Sequence, residues 1–114
     1  MSTEELISAI KSKNRSVDTF PYRAAFILML SRRGLPGSEI GRIMDMSTRH
    51  ANRCIHIICD YMCVNDRSVM TAYYEVGKHT ISVLTENVAE KEGKGNKPSV
   101  ICKYVAIDGV NFES

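Results

Sequence analysis

Residues 37–63 read GSEIGRIMDMSTRHANRCIHIICDYMC, two helical patterns joined by the turn Asp45-Met46-Ser47. In the first, Ile40, Ile43 and Met44 fall at i, i+3 and i+4 and make one apolar stripe. Ser38 is expected to cap its start, with Glu39 favoured in the first turn by the positive end of the helix dipole. Gly41 puts no side chain where two helices would cross. In the turn, Asp45 tolerates left-handed backbone angles, Met46 can plug the corner and Ser47 can cap the next helix. From Thr48 to Met62 the second pattern sets Ala51, Cys54, Ile55, Ile58 and Met62 on one face, expected to be buried. Arg49, Asn52, Arg53 and His56 fall on the other.

This is the outline of a helix-turn-helix over residues 38–63, with the helix starting near Ser47 as the reading helix. Arginine can bond N7 and O6 of guanine with two parallel N–H groups and asparagine the edge of adenine, so the polar face has the chemistry of direct base recognition in the major groove. Ser47 and Thr48, at the helix start, suit phosphate contacts. Most surface arginines merely solvate a helix face. After so short a turn, with Gly41 and Ala51 where such a motif needs small residues, base reading becomes the stronger expectation. Many such motifs carry glycine in the turn, and here Asp45 holds that position.

Two helices are expected upstream. Ser2 followed by Glu5 is a capping box, and Leu6, Ile7 and Ile10 form a short apolar stripe, expected to be peripheral, ending in the polar run Lys11 to Ser16. The second opens at Pro21 and closes at Gly34 after Arg32 and Arg33. Residues 24–30, AAFILML, are apolar all round, which marks a central core helix in preference to a subunit interface. Leu35-Pro36-Gly37 breaks the chain before the motif.

Downstream the period changes. Val69–Val76 and His79–Thr85 are rich in β-branched and aromatic residues around Gly77-Lys78 and read as a hairpin. The stripe Ile81, Leu84, Val88 also permits a helix over Thr80–Lys91, the less favoured alternative. Glu90–Pro98 reads as a flexible loop whose Lys91, Lys94 and Lys97 could touch phosphates, although the interleaved Glu90 and Glu92 favour plain solvation. Ser99–Ile107 alternates as a closing strand.

Composition sets the outer bounds. The 114 residues suit one domain with one modest core, and a partner or dimer is expected. No run of about eighteen apolar residues could span a bilayer and no secretory leader is recognisable, so the expectation is a cytoplasmic protein with no membrane contact. The net charge is only +2, but it is unevenly spread: from Arg15 to His56 there are seven arginines, no lysine and three acids, whereas from Ile57 onward six basic residues face eight acidic ones. Phosphate-matching charge therefore gathers on the motif and the helix before it. His56, Cys59 and Cys63 share one side of a helix, but ligands on one straight helix cannot close a tetrahedron. Cys54, Cys59, Cys63 and Cys102 are expected to be reduced, buried small hydrophobes, with no metal and no cofactor. Glycine-rich phosphate loops, paired carboxylates and metalloprotease helices are missing, and His50, His56 and His79 stand apart from any nucleophile, so no enzyme is expected.

The order of an apolar helix, the pair EIGRIMDMSTRHANRCIHII, a strand region, a charged Gly-containing loop and the closing strand SVICKYVAIDG resembles the CaiF/GrlA family of bacterial transcriptional activators, over roughly residues 20–110. That resemblance implies promoter binding by the helix-turn-helix, with Arg49, Asn52 and Arg53 reading DNA. It also implies activation of transcription, and a regulatory protein partner such as holds one family member inactive.

The combined expectation is an α+β fold, a winged helix-turn-helix with a helical N-terminal half followed by a small antiparallel β-sheet, in one domain over residues 1–114. An N-terminal helix and linker occupy 1–16, the helical core 20–63 and the β wing region 67–107. The expected function is sequence-specific regulation of transcription on double-stranded DNA, as a homodimer because one reading helix buries little surface. The DNA-binding set is Ser47, Thr48, Arg49, Asn52, Arg53 and His56, joined by Arg42 and Lys78. The alternative is a protein-binding adaptor or anti-regulator that keeps the fold without binding DNA.

Overall fold

The computed structural model describes residues 2–12, 19–88 and 99–113. Within them the chain is α+β, five helices followed by a small three-stranded antiparallel sheet: α1 Thr3–Lys11, α2 Phe20–Arg32, α3 Gly37–Met44, α4 Thr48–Cys63, α5 Arg67–Gly77, β1 Ile81–Val88, β2 Ser99–Ile107 and β3 Val110–Asn111. The expected loop at Glu90–Pro98, with its lysines, and most of the linker Lys11–Ser16 lie outside the described residues.

The middle of the molecule is α2. Ala24, Ala25, Phe26, Ile27, Leu28 and Leu30 are all buried, which is why this helix shows no polar stripe. It contacts each of the other four helices. Burial of each large apolar side chain contributes about 1.5–3 kcal/mol, so this helix organises the core. It begins at Phe20, one residue before the expected Pro21, and Gly34 ends it at φ +93°.

The first helix is not peripheral, as the sequence suggested. Leu6 and Ile10 are fully buried, and Thr3 Oγ1 donates to Asp108 Oδ2 at 2.6 Å, tying α1 to the turn between β2 and β3. Ser2 caps α1: its Oγ accepts from the Glu5 N–H at 3.2 Å and donates to the Glu5 carboxylate at 3.1 Å, the Ser-to-Glu half of the expected capping box.

A larger correction concerns residues 67–77. The expected strand Val69–Val76 and its hairpin turn at Gly77-Lys78 are replaced by α5, so the β region begins at Ile81 and not at Arg67. Asp66 caps this helix, its carboxylate accepting from the Val69 N–H at 3.1 Å, and Val69, Ala72 and Val76 form the buried stripe, on a helix that packs against α2. The β-branched and aromatic content of this segment misled because burial on one face outweighs intrinsic strand preference. The alternative of a helix over Thr80–Lys91 is also overturned, since Ile81–Val88 is strand.

β1 pairs with β2 from Ile81↔Ile107 to Val88↔Ser99, with a bulge beyond Leu84, where Lys103 of β2 has no opposite residue. β2 spans the segment expected for it, and β3 adds a short third strand. Asp108 and Gly109 turn the chain between them with φ of 52° and 82°, as a tight Asp-Gly hairpin turn requires. The sheet closes onto the helices through Val105 and Ile107, both fully buried, and through Phe112, whose ring centroid lies 4.9 Å from that of Phe26.

Asp108 is held well below the usual carboxylate range, at about 2, by hydrogen bonds from the Thr3 hydroxyl, from His79 and from the Thr80 N–H. A lowered folded-state pKa stabilises the fold above the unfolded value of 3.8, and that contribution disappears as pH falls through about 2. Urea midpoints followed across this acid window should drop in the native chain, and Asp108→Asn should flatten that part of the drop; an unchanged acid profile in the variant would remove Asp108 from the account.

Gly41 supplies the second prediction. A Cβ there would lie 2.6 Å from the Met46 carbonyl oxygen, whereas at Gly37 the obstacle is the movable Asn52 side-chain amide. Alanine's helix preference offers up to about 1 kcal/mol, less than the roughly 1–3 kcal/mol of displacing backbone in a packed turn. Gly41→Ala should therefore lower unfolding stability and Gly37→Ala should cost less, as measured by urea denaturation.

Candidate functional site

The segment α3–turn–α4 takes its shape from backbone contacts. Asp45 adopts φ 56°, ψ 53°, the left-handed conformation usually given to glycine, and the Met46 N–H closes α3 by donating to the Gly41 carbonyl at 2.8 Å. Ser38 is not the cap expected of it: α3 starts at Gly37 after Pro36, and no side chain caps it. Ser47 does cap α4, its hydroxyl accepting from the His50 N–H at 3.1 Å.

Along α4 the two faces separate as their spacing requires. Ala51, Cys54 and Ile58 are buried, with Ile55 and Met62 partly so, and Ser47, Thr48, Arg49, Asn52, Arg53 and His56 are all exposed. None of Arg49, Asn52, Arg53 and His56 makes a hydrogen bond or ion pair among the described residues. Asn52 lies toward α3, its amide beside Gly37 at the start of that helix. One turn beyond His56 the exposed Asp60 introduces a negative charge, which confines a cation-only surface to the first half of α4.

Two members of the expected set are engaged elsewhere. Arg42 donates to the Glu39 carboxylate at 2.9 and 3.1 Å, to the Cys102 carbonyl at 2.8 Å and to Glu113 at 3.3 Å. Glu39 in turn accepts from the Cys102 N–H at 3.1 Å. Burial opposes ionisation of Glu39, but the Cys102 N–H and the Arg42 guanidinium together outweigh it and keep this carboxyl below its ordinary pKa. The pair clamps α3 to β2 and to the segment after β3. Lys78 stands directly after α5 and not in a hairpin turn; it pairs with Glu75 at 3.2 Å and lies 4.7 Å from the Tyr74 ring centroid.

The cysteines divide. Cys54 and Cys102 are buried, and burial pushes both thiols above their ordinary pKa, but Cys59 and Cys63 are exposed, contrary to the expectation of burial. Among the described residues no three His, Cys, Asp or Glu side chains are grouped to hold a metal ion, and no helix is long and apolar enough to cross a membrane.

Sequence reasoning passed over Arg23. It is the one charged residue in the first two and a half turns of α2, FPYRAAFIL, and that isolation was the available signal. The structure sets it in a cleft of about 540 Å³ between α2 and the start of α4, where Arg53 and His50 also contribute lining.

Comparison of the chain with family models, with curated proteins and with solved structures finds no match in any of the three.

The different settings of Arg42 and Arg49 predict different consequences of the same substitution. Arg42→Ala should lower unfolding stability by about 1–2 kcal/mol, limited by the solvent screening of a half-exposed side chain. Arg49→Ala should stay within about 0.5 kcal/mol of the native chain. Urea unfolding of both variants decides it, and equal stabilities would dismiss the clamp.

Proposed function

We propose that this chain is a sequence-specific DNA-binding regulator of transcription, built as a winged helix-turn-helix that lays the first half of α4 in the major groove, with the β1–β2 hairpin as its wing. The observation that carries this reading is the outward row Arg49, Asn52, Arg53 and His56, exposed and without protein partners among the described residues. Such a row has hydrogen-bonding capacity that water fills in the free chain and that a ligand can take over, and its residue types suit base edges. Ser47 and Thr48, exposed at the start of α4, are assigned to phosphate. Arg42 and Lys78, half-exposed but paired with Glu39 and Glu75, carry less of this reading than the unpaired row.

Two half-sites read by a homodimer give the affinity that one helix lacks. Activation as the direction of control rests on the likeness to CaiF/GrlA proteins, and so does a regulatory protein partner; a regulator of this class works in the cytoplasm. A second reading, a protein-binding adaptor, draws on one specific observation: Met70 and Tyr74, one turn apart on α5, are 39% and 66% exposed. Large apolar side chains presented together on a helix favour a protein partner.

Electrophoretic retardation with random genomic fragments over a salt series separates the two. DNA binding should weaken steeply as salt rises, because counterions released by the phosphates are recaptured. Arg49→Ala and Arg53→Ala should each weaken a selected site by about tenfold to a hundredfold and together abolish retardation. Full affinity in the double variant would refute the assignment of α4.

A further inference from the structure

The cleft between α2 and α4 has a construction that reading DNA does not call for. Phe20 and Ile27 from α2, Met46 from the turn and Ile57 from α4 give it apolar walls, and its volume of about 540 Å³ falls in the range of sites that hold small organic molecules. Against these walls stand three nitrogen-bearing side chains, Arg23, His50 and Arg53, and one carboxylate, Asp45. Arg23 Nε is shut off from solvent and has no hydrogen-bond partner among the described residues. An enclosed N–H without an acceptor is costly, so a small shift of the Arg23 side chain that brings it to a carboxylate in the cleft relieves that cost. Arg23 from α2 and Arg53 from α4 line this one cleft together, with Cys54 of α4 also in its wall.

We infer that this cleft binds a small organic carboxylate with an apolar body, and that the bound anion engages Arg53 and so withdraws it from DNA. The planar fork of arginine matches a carboxylate with two parallel hydrogen bonds, and a second arginine lining the same cleft adds to the attraction. The apolar walls call for a hydrocarbon or aromatic portion, which inorganic phosphate does not have. Arg53 lines the cleft and is also exposed on the outer face of α4. One side chain thus serves both surfaces, and the ligand acts as a negative effector. The effect on DNA rests on the function proposed above; the carboxylate site itself does not.

The test is titration of the isotope-labelled full chain, without DNA, by benzoate, octanoate, neutral benzamide and inorganic phosphate at millimolar concentration, following backbone amide resonances. Benzoate or octanoate should shift residues 20–27 and 46–57 saturably, with benzamide and phosphate leaving them in place. Arg23→Gln and the exposed, fold-neutral Arg53→Gln should each weaken carboxylate binding about tenfold. No shift from either carboxylate, an equal shift from benzamide, or native affinity in Arg53→Gln overturns the site. Adding the effective carboxylate to a retardation assay should then reduce DNA affinity several-fold. Carboxylate binding with unaltered DNA affinity overturns the coupling, and carboxylate binding by a chain that retards no DNA leaves the site standing and removes the function proposed for α4.

Discussion

Gly41 and the Met46 carbonyl approach so closely that an added Cβ would come to 2.6 Å of the oxygen, and the orientation of α4 follows from that contact. With no side chain between them, α3 and the start of α4 share backbone surface, so the turn has one tight geometry instead of several loose ones. The left-handed Asp45 and the Met46 N–H bond to Gly41 complete it. The polar row of α4 points outward because Ala51, Cys54 and Ile58, on the opposite side, are drawn into the core around α2.

Around that helical unit the rest of the chain acts as bracing. The inner face of the sheet, with Ile81, Cys102, Val105 and Ile107 buried, joins the helical core, and hydrogen bonds fix its position at two places. Glu39 and Arg42 reach both the N–H and the carbonyl of Cys102, and Glu113 adds a second acid to the arginine. At the other end Asp108 gathers Thr3, His79 and Thr80. Each device joins segments far apart in sequence through charge-assisted hydrogen bonds, which are directional and so position a small sheet more sharply than apolar contact alone. The consequence for Arg42 is that a cation near the motif is committed to architecture.

Charge in the first half of the chain therefore divides by task. Arg32 bonds the Tyr73 hydroxyl at 2.5 Å and links α2 with α5, and Arg42 links α3 with β2. Arg49 and Arg53 have no such partner among the described residues, and Arg23 stands enclosed in the cleft. A local excess of positive charge is visible in composition, but only the fate of each guanidinium separates a structural tie from a surface that can meet an anion.

Much was legible in the sequence because it follows from local periodicity. The three- and four-residue spacing in 38–63 specified two helices and their buried faces, Gly41 marked the crossing, Ser47 the cap and residues 24–30 the core helix. The strand Ser99–Ile107 followed from alternation. Where local preference and burial disagreed, tertiary structure decided: Val69–Val76 has the composition of a strand but is helical, because packing Val69, Ala72 and Val76 against the body of the protein outweighs the strand preference of its valines and tyrosines. The depth of Leu6 and Ile10, the ties of Arg42 to Cys102 and Glu113, and the placing of Arg23 and Arg53 in one cleft bring together residues distant in the chain. Spacing along a sequence records which side chains share a face of one element; it does not record which elements those faces meet.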